Sequence, residues 1–238
     1  MTESVGKVYL VGAGPGDIQY LTVKAYQLLA QAAVLIYDAL VDEQLLDLVP
    51  DNCLKVYVGK RGGLPSTPQE EINQLLVKYC QQGKLVIRLK SGDPFIFGRC
   101  ASEIKALKAA DCSFETIPGI SSAFAAPLLA GIPLTDPLKS RCFVVLSAHQ
   151  PDNLDWEALS RLDTLVILMG GQHLKEIIHQ LIRYGKNKLT SIAIIRKAGS
   201  SEQQVWTGTL STIVKQVSNV RLSPAVIVIG EVVGLRGF

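Results

Sequence analysis

Side chains capable of acid–base and anion chemistry cluster where apolar runs break off in the first half of the sequence. Asp38 closes the run Ala33 to Tyr37 (AVLIY), where a carboxylate can serve as a general base or cap the next helix. Lys60 and Arg61 stand between glycines in Gly59-Lys60-Arg61-Gly62-Gly63, two cations on a loop that suit carboxylates or phosphates. Solvated surface is the plainer reading of that pair taken alone. Arg88, Lys90 and Arg99 bracket a third stretch, Ser91-Gly92-Asp93-Pro94-Phe95-Ile96-Phe97-Gly98. Loops at the carboxyl ends of strands in an open α/β sheet are where ligands sit. The Ser91 to Gly98 loop is therefore expected to line a ligand site. The five cations Lys60, Arg61, Arg88, Lys90 and Arg99 are expected to gather along one sheet edge, facing a polyanionic substrate.

The turn Gly12-Ala13-Gly14-Pro15-Gly16-Asp17 invites a dinucleotide reading, with Asp38 at the distance an acid on a ribose would need. The glycines are spaced G-x-G-x-G, however. Pro15 removes an amide, and Asp17 puts a carboxylate where a pyrophosphate wants positive potential. A binding turn of another kind fits better. Pro118-Gly119-Ile120-Ser121-Ser122 leads into small residues that permit close approach of a ligand or of another helix. Met169 ends an apolar run before Gly170-Gly171, where core filling is the default use of methionine. The sequence contains no GxSxG, Walker or HExxH pattern, and His149, His173 and His179 have no metal-like spacing.

The elements that must carry these residues alternate. Apolar runs at Lys7 to Val11, Ala33 to Tyr37, Leu54 to Val58, Leu85 to Leu89 and Ser113 to Ile117 predict strands. Helical spacing covers Leu21 to Ala30 and the segment around Ile104 and Leu107, with a short helix near Leu45, Leu46 and Val49. Thr67 as cap, Pro68 at the first helical position and Glu70 completing a capping box predict a helix through Ile72, Leu75 and Leu76. Strands alternating with helices read as a mainly parallel sheet covered on both faces. A shift to Ala, Ser, Pro and Gly from Pro118 marks a boundary. Strands resume at Cys142 to Leu146, Leu165 to Met169, Ser191 to Ile195, Gln203 to Trp206 and Ala225 to Ile229, with helices at Leu174 to Tyr184 and Leu210 to Val217. Two α/β domains are expected, residues 1–117 and 118–238.

Composition narrows the class. The 238 residues are 48% hydrophobic and 19% charged, with a net charge of +3, so nothing demands nucleic acid as a partner. Five scattered cysteines without a CxxC argue against a disulfide framework and a zinc site, and for a reducing compartment. The N-terminal segment has no signal-peptide apolar region, and no window approaches the ~18 apolar residues of a membrane span. A cytoplasmic protein without a metal and without a membrane partner is the expectation.

Read in order, GAGPGD with LTVKA, YDALV, GKRGG with STPQEEIN, RLKSGDPFIFGR, PGISSA, AGIPLT, LVILMGG and PAVIVIGEVV resemble the uroporphyrinogen-III C-methyltransferases of the tetrapyrrole methylase superfamily. The resemblance runs from about Gly6 to Leu235, and GKRGG, STPQEEIN and the GDPFIFGR loop are its specific parts. It implies two α/β domains with S-adenosylmethionine in the cleft between them, S-adenosylhomocysteine as by-product, and a homodimer. Carried over by motif, cofactor contacts fall at Pro15, Ser91, Gly92, Asp93, Ile96, Ser121, Ser122, Met169 and Ala198. Asp38 becomes the proton acceptor and Lys60 the proton donor, with Arg61, Arg88, Lys90 and Arg99 toward the substrate. The implied reaction methylates uroporphyrinogen III at C2 and C7 to give precorrin-2, on the way to sirohaem and cobalamin. A methyltransferase of a later precorrin, a nicotinamide-dependent dehydrogenase using GAGPGD and Asp38, and a silent S-adenosylmethionine-binding regulator stay open beside it. The chain departs from the family at Ser91, at Cys100-Ala101-Ser102 in place of Gly-Gly-Glu, and at Asp136-Pro137 in place of His-Arg.

Overall fold

A computed structural model describes residues 6–59 and 67–237. The chain forms two compact units, the first ending at Ser121 and the second beginning at Ser122.

In the first unit, β1 (Lys7–Gly12), α1 (Val23–Leu29), β2 (Val34–Tyr37), β3 (Leu54–Tyr57), α2 (Gln69–Gln81), β4 (Leu85–Lys90), α3 (Cys100–Ala109) and β5 (Ser113–Ile117) follow in order. The sheet order is β3-β2-β4-β1-β5 with every pair parallel. Side chains alternate across a strand, and β4 shows the consequence. Ile87 and Leu89 join the cluster under α1 with Leu28, Leu29, Leu35 and Leu45. Val86 joins the opposite cluster under α2 and α3, with Ile72, Leu76 and Leu107. Arg88 and Lys90, two and four residues after Val86, share its face and are buried at 2% exposure each.

The helix predicted from Thr67 starts one residue late. Pro68 occupies the cap position in an extended conformation and Gln69 opens α2, so the capping box does not form. The Glu43–Asp47 segment is a 3-10 turn capped by the Asp42 carboxylate. At Cys100-Ala101 the chain enters α3 directly. Neither residue is glycine, and alanine favours a helix over glycine by about 1 kcal/mol, so the α3 entrance is stiffer than a glycine pair would make it.

The second unit contains α4 (Ser122–Leu129), β6 (Phe143–Ser147), α5 (Trp156–Ser160), β7 (Thr164–Leu168), α6 (Leu174–Arg183), β8 (Ser191–Arg196), β9 (Gln204–Thr209), α7 (Ile213–Gln216) and β10 (Ala225–Ile229). Its sheet, β6-β7-β10-β8-β9, is mixed. Only β6 and β7 pair in parallel; β10 runs against β7 and β8, and β9 against β8. For β9 the cause is connection length. The seven residues from Lys197 to Gln203 suffice for a hairpin but not for a parallel crossover. Asp136-Pro137 forms a self-capped turn, in which the Asp136 carboxylate accepts from the amides of Leu138 and Lys139.

Cys53, Cys80, Cys100 and Cys112 are buried and Cys142 is exposed. Burial pushes the Cys80 and Cys100 thiols up to about 11. Alkylation of the folded protein at mildly alkaline pH is expected to label Cys142 alone, with the other four reacting after denaturation. Mass spectrometry of labelled peptides checks this; rapid labelling of a buried cysteine contradicts the packing.

Candidate active site

The adjacent strands β4, β1 and β5 end in turns that lock together. Gly14 N donates to Gly92 O at 3.2 Å, Gly92 N to Gly14 O at 2.9 Å, and Ala13 N to Lys90 O at 2.7 Å. A β-carbon on Gly12 would stand 2.5 Å from Gly119 Cα, and one on Gly119 would stand 2.3 Å from Gly92 O. Three backbones therefore touch at a point where only glycine fits. Asp93 ties the turns further, its Oδ2 accepting from Gly119 N at 3.2 Å and its Oδ1 from Phe95 N at 2.8 Å. The loop then rises into solvent through Phe95, Ile96 and Phe97. Phe97 and Arg99 take left-handed backbone angles (φ 54 and 55). Such angles cost a residue with a side chain about 1–3 kcal/mol and concentrate at functional sites.

Asp38 lies on the same edge, at the carboxyl end of β2 beside β4, with its amide donating to Leu89 O at 3.2 Å. Arg88 Nη2 donates to Asp38 Oδ1, and Arg88 Nε donates to Glu103 Oε1 at 2.9 Å. Lys90 Nζ donates to both oxygens of Glu103, at 2.8 and 2.9 Å. Glu103 is fully buried, whereas the Asp38 side chain is 30% exposed. Burial by itself would pull the Arg88 guanidinium down; Asp38 and Glu103 more than reverse this and hold it above its ordinary value. Gly59 packs on Ala39, where a β-carbon would meet the Ala39 amide at 2.1 Å. The loop after β3 thus leaves the sheet directly beside the Asp38 turn.

In the second unit β10 opposes both β7 and β8, so these two run the same way and end on one edge. Met169 follows β7 there, half exposed and left-handed at φ 57. Lys197 and Ala198 follow β8, Lys197 also left-handed at φ 49. Ser122 opens α4, whose buried Ala123 and Ala126 pack on Val166 and Val226 of the same sheet.

The residues singled out from the sequence thus fall at carboxyl-end edges. Pro15, Ser91, Gly92, Asp93, Ile96 and Ser121 lie in the interlocked turns of the first unit; Met169 and Ala198 share an edge in the second. Lys60 and Arg61 lie outside the described residues. Arg99 is exposed on the β4 loop. Arg88 and Lys90 were expected to face the substrate, and here the structure corrects the sequence reading. The alternation of β4 turns them inward, where Asp38 and Glu103 neutralise them. Glu103 was missed. The signal was present: two cations two residues apart in a buried strand need a buried acid, and the following helix supplies one.

The amide donors at the Gly-rich turn decide the kind of ligand. Gly14, Gly92, Gly119 and Phe95 all donate within the turns, Pro15 has no N–H, and the Asp17 carboxylate accepts from Gln19 N at 2.8 Å. With the Asp17 and Asp93 carboxylates at these turns, a pyrophosphate would find no positive potential here. The remaining surface, carboxylate plus exposed apolar side chains, suits a nucleoside carrying a positive charge. No group of three His, Cys, Asp or Glu among the described residues could hold a metal ion, and no helix among them is long and apolar enough to cross a membrane.

An α/β protein with a glycine-locked strand-end edge and a carboxylate held by a buried arginine is the class these features define. Residues 7–214 match the family model of tetrapyrrole (corrin/porphyrin) methylases, and the chain belongs to that family. It is 59% identical to a uroporphyrinogen-III C-methyltransferase of Synechococcus elongatus, across 98% of this chain and 96% of that protein. It is 46% identical to a siroheme synthase of Sodalis glossinidius, and spans 50% of that longer protein. Among solved structures it resembles the uroporphyrin-III C-methyl transferase of Thermus thermophilus in complex with S-adenyl homocysteine. That match has a TM-score of 0.83 at 37% identity, covering 96% of this chain and 99% of the other.

Proposed function

We propose that the protein transfers methyl groups from S-adenosylmethionine to C2 and C7 of uroporphyrinogen III, releasing S-adenosylhomocysteine and giving precorrin-2. The observation that carries the reading is the turn cluster of Gly12, Gly92 and Gly119. The Asp17 and Asp93 carboxylates and the exposed Phe95, Ile96 and Phe97 stand at these turns, a surface that suits a nucleoside sulfonium better than a pyrophosphate. The cofactor contributes an electrophilic methyl on a sulfonium. The chain contributes alignment and proton handling. Contacts that orient the nucleoside so that the methyl meets the ring carbon in line are assigned to Pro15, Ser91, Gly92, Asp93, Ile96, Ser121, Ser122, Met169 and Ala198. Each new carbon–carbon bond leaves a proton on the pyrrole framework, which Asp38 accepts; Lys60 is assigned the donor role. The exposed Arg99, with Arg61, faces the substrate carboxylates. A homodimer working in the cytoplasm completes the proposal.

Calorimetry tests the cofactor assignment. S-adenosylhomocysteine is expected to bind and NAD not to; binding of NAD without S-adenosylhomocysteine would overturn the reading. Replacing Asp93 by alanine removes the acceptor of two backbone N–H groups, each such charged hydrogen bond being worth roughly 1.5–3 kcal/mol. Affinity for S-adenosylhomocysteine should fall by about tenfold or more, with a lower Tm as the Phe95 and Gly119 amides lose their acceptor but with the chain still folded. Unfolding of Asp93→Ala with binding intact in its folded fraction would show that this loop is structural only.

A further inference from the structure

We infer that Glu103, remote from the reacting atoms, is a positioning residue that sets the orientation of the Asp38 carboxylate through Arg88. The inference rests on the proton-acceptor role proposed for Asp38. The guanidinium of Arg88 is planar, so anchoring one edge fixes where the other points. Glu103 Oε1 holds Nε at 2.9 Å, while the carbonyls of Leu89 and Ile36 hold Nη1 at 3.3 and 3.5 Å. Nη2 is left aimed at Asp38 Oδ1. Glu103 is itself fixed by Lys90 at both oxygens. Two cations and two carboxylates balance, and among the described residues the chain of contacts has a single outlet to solvent, because of these four only Asp38 is more than 3% exposed.

Stability does not account for this arrangement, since buried ion clusters are commonly matched or bettered by apolar residues of the same volume. Orientation does. In-line methyl transfer leaves the departing proton in one direction from the ring, and a carboxylate free to rotate would meet it less often. The α3 entrance carries the anchor: Cys100 starts the helix without a glycine, and Ser102 accepts a hydrogen bond from Asn73 of α2 at 3.0 Å. The helix turn holding Glu103 is thereby braced.

The test uses the full chain, uroporphyrinogen III and S-adenosylmethionine. In Glu103→Ala, kcat is expected to fall by about 100-fold, the scale of a small misplacement of a reacting group. KM and S-adenosylhomocysteine affinity should stay unchanged. Glu103→Gln, which keeps an acceptor for Arg88 Nε, should recover most of the loss. Should the buried charges prevent Glu103→Ala from folding, the charge-balanced double variant Glu103→Leu with Lys90→Met replaces it, with the same kcat loss expected at near wild-type Tm. Wild-type kcat in either folded variant overturns the inference. So does a parallel loss of cofactor affinity, or failure of the double variant to fold, since these mark a structural role. An inactive wild-type protein would instead refute the proposed function, before any variant is compared.

Discussion

Asp38→Asn is expected to slow methylation of uroporphyrinogen III by roughly 10²- to 10⁴-fold, the usual contribution of a positioned proton acceptor. S-adenosylhomocysteine affinity should not change. Asparagine has nearly the same shape, and its amide oxygen can still accept from Arg88 Nη2, so the turn keeps its fold. It cannot take a proton. The buried network would be left with Arg88 and Lys90 against Glu103 alone, and a modest fall in Tm is expected with the rate loss. The Asp38 side chain is 30% exposed, so water screens much of that surplus charge. Steady-state kinetics with calorimetry on the same preparation separates the two effects. A variant with wild-type kcat would remove Asp38 from the chemistry.

Gly119→Ala is expected to disable the glycine-locked edge to which cofactor binding is assigned. The new methyl would sit 2.3 Å from Gly92 O and 2.6 Å from Gly12 Cα, both backbone atoms, so no side-chain rotation relieves the clash. Overpacking costs about 1–3 kcal/mol even where side chains can yield, and here three strand ends must separate. The Asp93 carboxylate would lose its hold on the Gly119 amide as they do. Loss of measurable S-adenosylhomocysteine binding, with a clear fall in Tm, is the expected result. Wild-type binding in Gly119→Ala would show that the turns are not locked as described. Gly234, with open space around it, serves as control; alanine there should leave binding intact.

Much of the fold was legible because the strands of the first unit are short, nearly continuous apolar runs ending in turn residues. Ala225 to Ile229 was read to the residue, and Leu174 to Tyr184 within one residue of α6. The mixed second sheet was not legible. Strand direction depends on which neighbour a strand pairs with, and an apolar run such as AVIVI looks the same in either direction. At the site, the glycine turns and Asp38 could be found from type and position, since glycine is demanded by contacts that no other residue tolerates. Arg88 and Lys90 were misjudged for a physical reason. A cation at a strand end is usually solvated, and only the alternation through Val86, Arg88 and Lys90 shows these two facing the core. Ranking that alternation above the cation count would have pointed to Glu103 as well.

The most direct test of the proposed function is a turnover assay. Purified protein is incubated anaerobically with uroporphyrinogen III and S-adenosylmethionine, and product mass and absorbance are followed together. A doubly methylated tetrapyrrole with chlorin-like absorbance is expected, with two S-adenosylhomocysteine molecules released for each one formed. Cofactor binding without any methylated product from uroporphyrinogen III would contradict it.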